Sequence, residues 1–273
     1  MKKMMTYGLG LLLTVSVISC NSGENKKATT TTPSIKEELV TYSSDSIEMK
    51  SYIAYDENNK DKRPAILVVP EWWGVNDYVR SRIKQLAELG YVAMAVDFYG
   101  NGKQADNPDS AGKLATPFYT DPSLAQRRFD AAKAILLSNS RVDSSRLAAM
   151  GYCFGGAQVI NMAKLGEDLK GVVSFHGNLA VMPATKDMKA EVLVCHGADD
   201  KFVSPQEVAT FKKQMDSVGA KYTFIEYPGA THSFTNPQAT EWGKKFNLPL
   251  AYNQNADTLS WKEMRSFFER VLH

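Results

Sequence analysis

A three-layer α/β fold, with a mostly parallel central sheet and helices on both faces, is predicted by three observations. Apolar β-branched runs recur along the chain, amphipathic stretches of helical period separate them, and residues 35–273 are long enough for one large domain with a substantial core. Continuous apolar runs suit strands buried on both faces, and the intervening helices supply the crossovers that parallel strands need.

Residues 36–53 read as one or two edge strands, with Ile47, Met49 and Ile53 on one face. Ala65-Ile66-Leu67-Val68-Val69 is a continuous buried strand, followed by a helix from about Asp77 to Leu89 that Gly90 stops. Tyr91 to Val96 is the next strand. Residues 98–120 are rich in Gly, Pro, Asn and Asp and read as a long loop over the sheet edge, a usual place for substrate contacts. A crossover helix over Leu124–Leu137 leads to the strand Arg146–Met150. Gly171–Phe175 and Glu191–Cys195 are further strands. Ser204-Pro205 opens a helix to about Ser217 in the favoured cap-then-proline order. Tyr222–Tyr227 is the last strand and Ser260–Val271 the terminal helix, with a polar, aromatic-containing insertion at 235–256 between them that has room for a short helix.

The N-terminus reads as a targeting segment. Lys2 and Lys3 precede the apolar stretch Tyr7–Val17, and Val17-Ile18-Ser19-Cys20 has the form of a lipoprotein signal-peptidase site. Residues 1–19 are thus expected to be a signal peptide and Cys20 the lipid-bearing first residue of the mature chain. That makes a lipid bilayer one partner and places the domain in a bacterial cell envelope, outside the cytoplasm. An ordinary secretory signal or an uncleaved anchor is the competing reading. Residues 20–34 are polar and threonine-rich and read as a flexible tether. The formal net charge is +2, and removing residues 1–19 takes away Lys2 and Lys3, which leaves acidic and basic side chains in balance. No electrostatic case for a nucleic-acid partner survives. Of three cysteines, only Cys153 and Cys195 fall in the domain, which is no disulfide framework. Cys195 ends an apolar strand and reads as core.

Gly151-Tyr152-Cys153-Phe154-Gly155 carries the chemistry. It follows a short buried strand and precedes the apolar-faced helical run Gly156–Ala163, the context of a tight strand-to-helix turn that holds a nucleophile up at the sheet edge. The flanking glycines let strand and helix approach closely, and the helix N-terminus favours the thiolate of Cys153. A thiol nucleophile needs a base within reach, and the base needs an acid to fix its tautomer. His232 follows the last strand, as His176 and His196 follow earlier ones, so three of the four histidines are open as the base; His273 is terminal. Asp200 follows the strand ending at Cys195, and the chain order Cys153, Asp200, His232 is that of nucleophile, acid and base in this layout. Neighbouring Asp199 reads as a solvated turn carboxylate.

Four motifs in order, Glu71-Trp72-Trp73-Gly74-Val75-Asn76, Gly151-Tyr152-Cys153-Phe154-Gly155-Gly156, Asp200-Lys201-Phe202-Val203 and Gly229-Ala230-Thr231-His232-Ser233-Phe234, mark the chain as one that resembles the dienelactone hydrolase family over roughly residues 40–272. That family is the cysteine branch of the α/β-hydrolase superfamily. The resemblance implies the three-layer α/β-hydrolase fold and a Cys153, His232, Asp200 triad. It also implies Glu71 beside the resting thiol, and backbone N–H groups of Trp72 and Phe154 as oxyanion donors. The implied substrate is a small-molecule ester or lactone, cleaved through a thioester acyl-enzyme. Trp73 and Tyr152 are candidates for lining the pocket. The chain departs from the family's carboxylate-holding arginines: none occurs in 98–120, and none follows His232 before Arg265. No cofactor is implied, and the scattered histidines lack HxH or HExxH spacing, so no metal is expected either. The alternative is a catalytically silent, membrane-anchored scaffold that binds a glycan or protein partner, since fold alone does not fix function.

Overall fold

The computed structural model describes Met1 and residues 32–180 and 182–273. The signal, Cys20 and most of the tether lie outside the described residues.

Eight strands form one sheet in the order β1-β2-β4-β3-β5-β6-β7-β8. Strands β1 (Ile35–Ser44) and β2 (Ile47–Asp56) make an antiparallel hairpin at one edge, and β2 pairs antiparallel with β4 (Val92–Ala95). From there the sheet is parallel through β3 (Arg63–Val69), β5 (Val142–Tyr152), β6 (Gly171–Phe175), β7 (Glu191–Gly197) and β8 (Tyr222–Tyr227). Every residue of β3 is buried because its side chains alternate between two cores. Leu67 and Val69 face the core under α3 (Pro122–Ser138), α4 (Phe154–Lys164) and α5 (Pro205–Ser217). Ile66 and Val68 face the core under α1 (Asp77–Glu88) and α7 (Gln254–Leu272). Each large aliphatic or aromatic side chain so buried contributes ~1.5–3 kcal/mol, so the two cores, Phe129 and Phe211 in one and Ile83 and Phe268 in the other, hold the layers together.

Local signals set the helix starts. Asn76 caps α1 through Val79 N–H, Asp121 caps α3 through Leu124 N–H, and Ser204 with Glu207 forms a reciprocal capping box on α5.

Two expectations need correction. The segment 98–120 is not all loop: its second half is the helix α2 (Pro108–Thr120), started by Asn107 as cap and Pro108 at its first turn. Gly112 and Pro117 inside it dilute the helical pattern. The terminal helix begins not at Ser260 but at Gln254, as α7, because Asn253 accepts from Ala256 N–H, while the insertion at 235–256 carries the short helix for which it has room, α6 (Ala239–Phe246). Ahead of α2, the chain is anchored by Asp97, whose carboxylate accepts backbone N–H groups of Lys50, Tyr99, Gly100 and Gly102 at 2.9–3.1 Å. That one buried carboxylate fastens the loop after β4 onto β2. Among the described residues, no helix is long and apolar enough to cross a membrane.

Candidate active site

The parallel strands β3, β5, β7 and β8 all end at the same edge of the sheet, and the segments leaving them carry Glu71, Cys153, Asp200 and His232. Cys153 sits in the turn between β5 and α4 with φ 52° and ψ −115°, a strained backbone for a residue bearing a Cβ. The glycines around it serve close approach: a Cβ on Gly151 would lie 2.1 Å from the Gly155 carbonyl oxygen, and one on Gly155 would lie 2.2 Å from that of Val69. Gly155 N–H in turn donates to Pro70 O at 3.1 Å, which locks the turn against the segment carrying Glu71 and Trp72.

His232 Nε2 lies 3.0 Å from Cys153 Sγ, and His232 Nδ1 lies 2.7 Å from Asp200 Oδ2. All three side chains are drawn from different loops, and the His232 and Asp200 side chains are buried. Burial opposes a charge on His232, but the thiol of Cys153 and the carboxylate of Asp200 together hold its pKa well above the ordinary imidazole range. Asp199 is exposed, as expected of a turn carboxylate.

The other histidines take different places. His176, also at a positive φ of 41°, is fully buried behind the nucleophile. Its Nδ1 accepts the N–H of Cys153 at 3.1 Å, so Nε2 carries the proton toward Thr235 Oγ1 at 2.7 Å, which in turn meets Tyr78 OH at 2.6 Å. Burial, followed by the charge on His232, keeps its pKa well below the usual value. This second histidine supports the strained turn, and nothing in the spacing along the sequence marks it. His196 packs against Phe224 and is likewise lowered by burial.

Glu71 is buried. Among the described residues no hydrogen bond joins it to Cys153; its Oε2 accepts Asn236 Nδ2–H at 2.6 Å, while the thiol is turned to His232. Burial raises its pKa despite Asn236, nearby Ser233 and the charge on His232.

Trp72 and Phe154 flank Cys153, and neither backbone N–H has a protein acceptor among the described residues. Trp72 lines the cleft that opens over Cys153, about 420 Å³ in volume, together with Tyr119 of α2, Asn178, Phe202 and Leu250. Trp73 and Tyr152 do not line it. Trp73 turns the other way and packs on Trp242 and Phe246. Tyr152, the last residue of β5, follows the strand's alternation into the core and stacks on Phe175. Among the described residues no cluster of His, Cys, Asp and Glu has the arrangement of a metal site.

Fold and site together define the class: an α/β-hydrolase with a cysteine at the strand-to-helix turn. The model of the dienelactone hydrolase family matches residues 49–272, and the chain belongs to that family. It is a carboxylic ester or lactone hydrolase. "Protein usf" of Aquifex pyrophilus is 30% identical over 212 residues, 73% of this chain and 87% of that protein. A protein of Aquifex aeolicus named "Putative carboxymethylenebutenolidase" is 28% identical over 243 residues, covering 86% of this chain and 99% of the relative. The crystal structure of the dienelactone hydrolase-like promiscuous phosphotriesterase P91, from metagenomic libraries, superposes with a TM-score of 0.82 at 31% identity, over 88% of this chain and 99% of its own.

Proposed function

We propose that the protein hydrolyses its ester or lactone through Cys153 as nucleophile, His232 as base and acid, and Asp200 as the group that orients His232. The observation that carries this reading is the unbroken line Asp200, His232, Cys153, with separations of 2.7 and 3.0 Å, whose Cys153 and His232 line the cleft. The Cys153 thiolate attacks the carbonyl carbon, and the negative charge moves onto the carbonyl oxygen, where the N–H groups of Trp72 and Phe154 receive it. Collapse expels the alcohol oxygen, protonated by His232, and leaves a thioester. His232, now neutral, takes a proton from water as that water attacks the thioester, and the acid leaves with Cys153 regenerated. Asp200 holds Nδ1–H throughout, so Nε2 stays free to face sulfur and water.

Short p-nitrophenyl esters and simple lactones test this. Cys153→Ser and His232→Ala should each lower kcat/KM by at least ~10³-fold, in keeping with loss of a covalent nucleophile or its base. Turnover indifferent to both changes would remove the triad and return weight to a binding scaffold. We further infer, from the sequence around Cys20, that the domain is tethered to a membrane of the cell envelope; incorporation of labelled palmitate, abolished by Cys20→Ala, is the expected result.

A further inference from the structure

Gly112 is an unexplained glycine. It sits inside α2, where glycine costs about 1 kcal/mol relative to alanine. Glycines are retained where a positive φ or a close approach demands them, and most others in the described residues meet one of those conditions. Gly112 meets neither: its φ is not positive and a Cβ there would find nothing within 4 Å. The space that a side chain would enter is the cleft above Cys153. Ala115, Thr116 and Tyr119 continue the same helical face along the cleft, so α2 supplies one wall, and at Gly112 that wall is bare backbone. Thr116 adds little polarity, because its hydroxyl is spent on the Gly112 carbonyl at 2.7 Å. The remaining lining is mainly apolar or aromatic, and among the described residues no Lys, Arg, Asp or Glu lines it.

We propose that this cleft selects uncharged esters bearing a bulky apolar group, and that the α2 face from Gly112 to Thr116 is the surface that measures that group. The ester chemistry rests on the reading above; the wall rests on the cleft geometry alone. A carboxylate entering the cleft would shed water and meet no cation except the His232 imidazole, both of whose nitrogens are already engaged by Asp200 and Cys153, which disfavours it. An apolar group against Gly112 fills volume that any side chain would take.

The full chain is assayed with two ester series, one lengthening the acyl group on a fixed p-nitrophenol, the other enlarging the alcohol on a fixed acetyl group. Wild type should favour p-nitrophenyl butyrate over p-nitrophenyl hemisuccinate at least tenfold in kcat/KM; a ratio within threefold overturns the neutral selectivity. Gly112→Leu should lower kcat/KM at least tenfold for the bulkiest member of one series and less than threefold for the smallest. Uniform losses in both series, or none, overturn the wall. Gly112→Ala supplies a readout free of turnover. Since the new methyl meets open space and alanine favours the helix, its melting temperature should rise by about 2–4 °C; a fall would make Gly112 a folding requirement and overturn the proposal. Alkylation of Cys153 by N-methylmaleimide and N-cyclohexylmaleimide reads the same wall. Gly112→Leu should slow the cyclohexyl reagent selectively, and this result together with no ester turnover would leave the wall standing while the hydrolytic reading fell. Equal slowing of both reagents would overturn the wall.

Discussion

At the scale of single residues, the site depends on backbone that only glycine permits and on a proton that only the assembled site holds. Gly151 and Gly155 have no space for a methyl, since the atoms it would meet at 2.1 and 2.2 Å are main-chain carbonyls that cannot swing aside. Gly155→Ala should therefore destabilise the protein by about 2–4 kcal/mol, the scale of overpacking with backbone displacement, read as a lower midpoint in urea. His232 supplies a second test. Burial by itself would lower its pKa, and Cys153 is the largest of the influences that raise it. In Cys153→Ala the imidazole should titrate at lower pH than in wild type, followed by NMR of labelled histidine; an unmoved titration would assign the charge to Asp200 alone. The motif around Cys153 was legible because glycine spacing reports close approach directly. The contact from His176 to the Cys153 N–H was not, because it joins two positive-φ residues of neighbouring strands and no local pattern encodes it.

At the scale of elements, strands and caps could be read and interruptions could not. The strand Tyr222–Tyr227 and the helix opened by Ser204-Pro205 lie where the sequence places them, since β-branched runs and cap-proline pairs are short-range signals. Helix α2 escaped because Gly112 and Pro117 break its pattern, and the first of these is placed by the cleft rather than by the helix. Helix α4 was legible in its apolar face but not in its end, where Lys164 is buried. The Lys164 ammonium donates to Met182 O at 2.6 Å and to Gln214 Oε1 at 3.3 Å, joining α4 to the loop after β6 and to α5. Burial lowers its pKa to about 8 from a usual 10.5. Between those values the unfolded chain keeps a proton that the folded protein has released, so stability from this group rises with pH across that window. The stability of wild type relative to Lys164→Met should grow by about 2–3 kcal/mol between roughly pH 7 and pH 10; a difference independent of pH would mean that Lys164 stays charged in the fold. Comparing the two proteins cancels the buried tyrosines, whose raised pKa values act in the opposite direction above pH 10.

At the scale of the molecule, the two helices on one face of the sheet are tied to the site by an ion pair between buried Arg82 and half-buried Asp257. Arg82 of α1 meets Asp257 of α7 at 2.6 Å and also donates to Thr235 O at 2.8 Å. Thr235 reaches His176, which accepts the N–H of Cys153, so polar contacts run from α7 to the nucleophile. The pair itself is close to break-even. Burial pushes the Asp257 pKa up in spite of Arg82, and burial opposes the charge on Arg82 as well although its neighbours hold its pKa above the usual value, so both partners carry a desolvation cost. Breaking the pair is another matter, because the group left behind is a buried, unpaired charge. Asp257→Asn should cost about 3–5 kcal/mol, while Arg82→Met with Asp257→Leu should cost far less than the sum of the single changes. The double variant still lacks the donor to Thr235 O, so its kcat/KM should stay about tenfold below wild type, as expected for the loss of one buried hydrogen bond that positions the site. Recovery of stability together with full activity would show that the contacts from Arg82 to the nucleophile are structural neighbours only, and that the strained turn at Cys153 is held by its glycines and by His176 without help from α7.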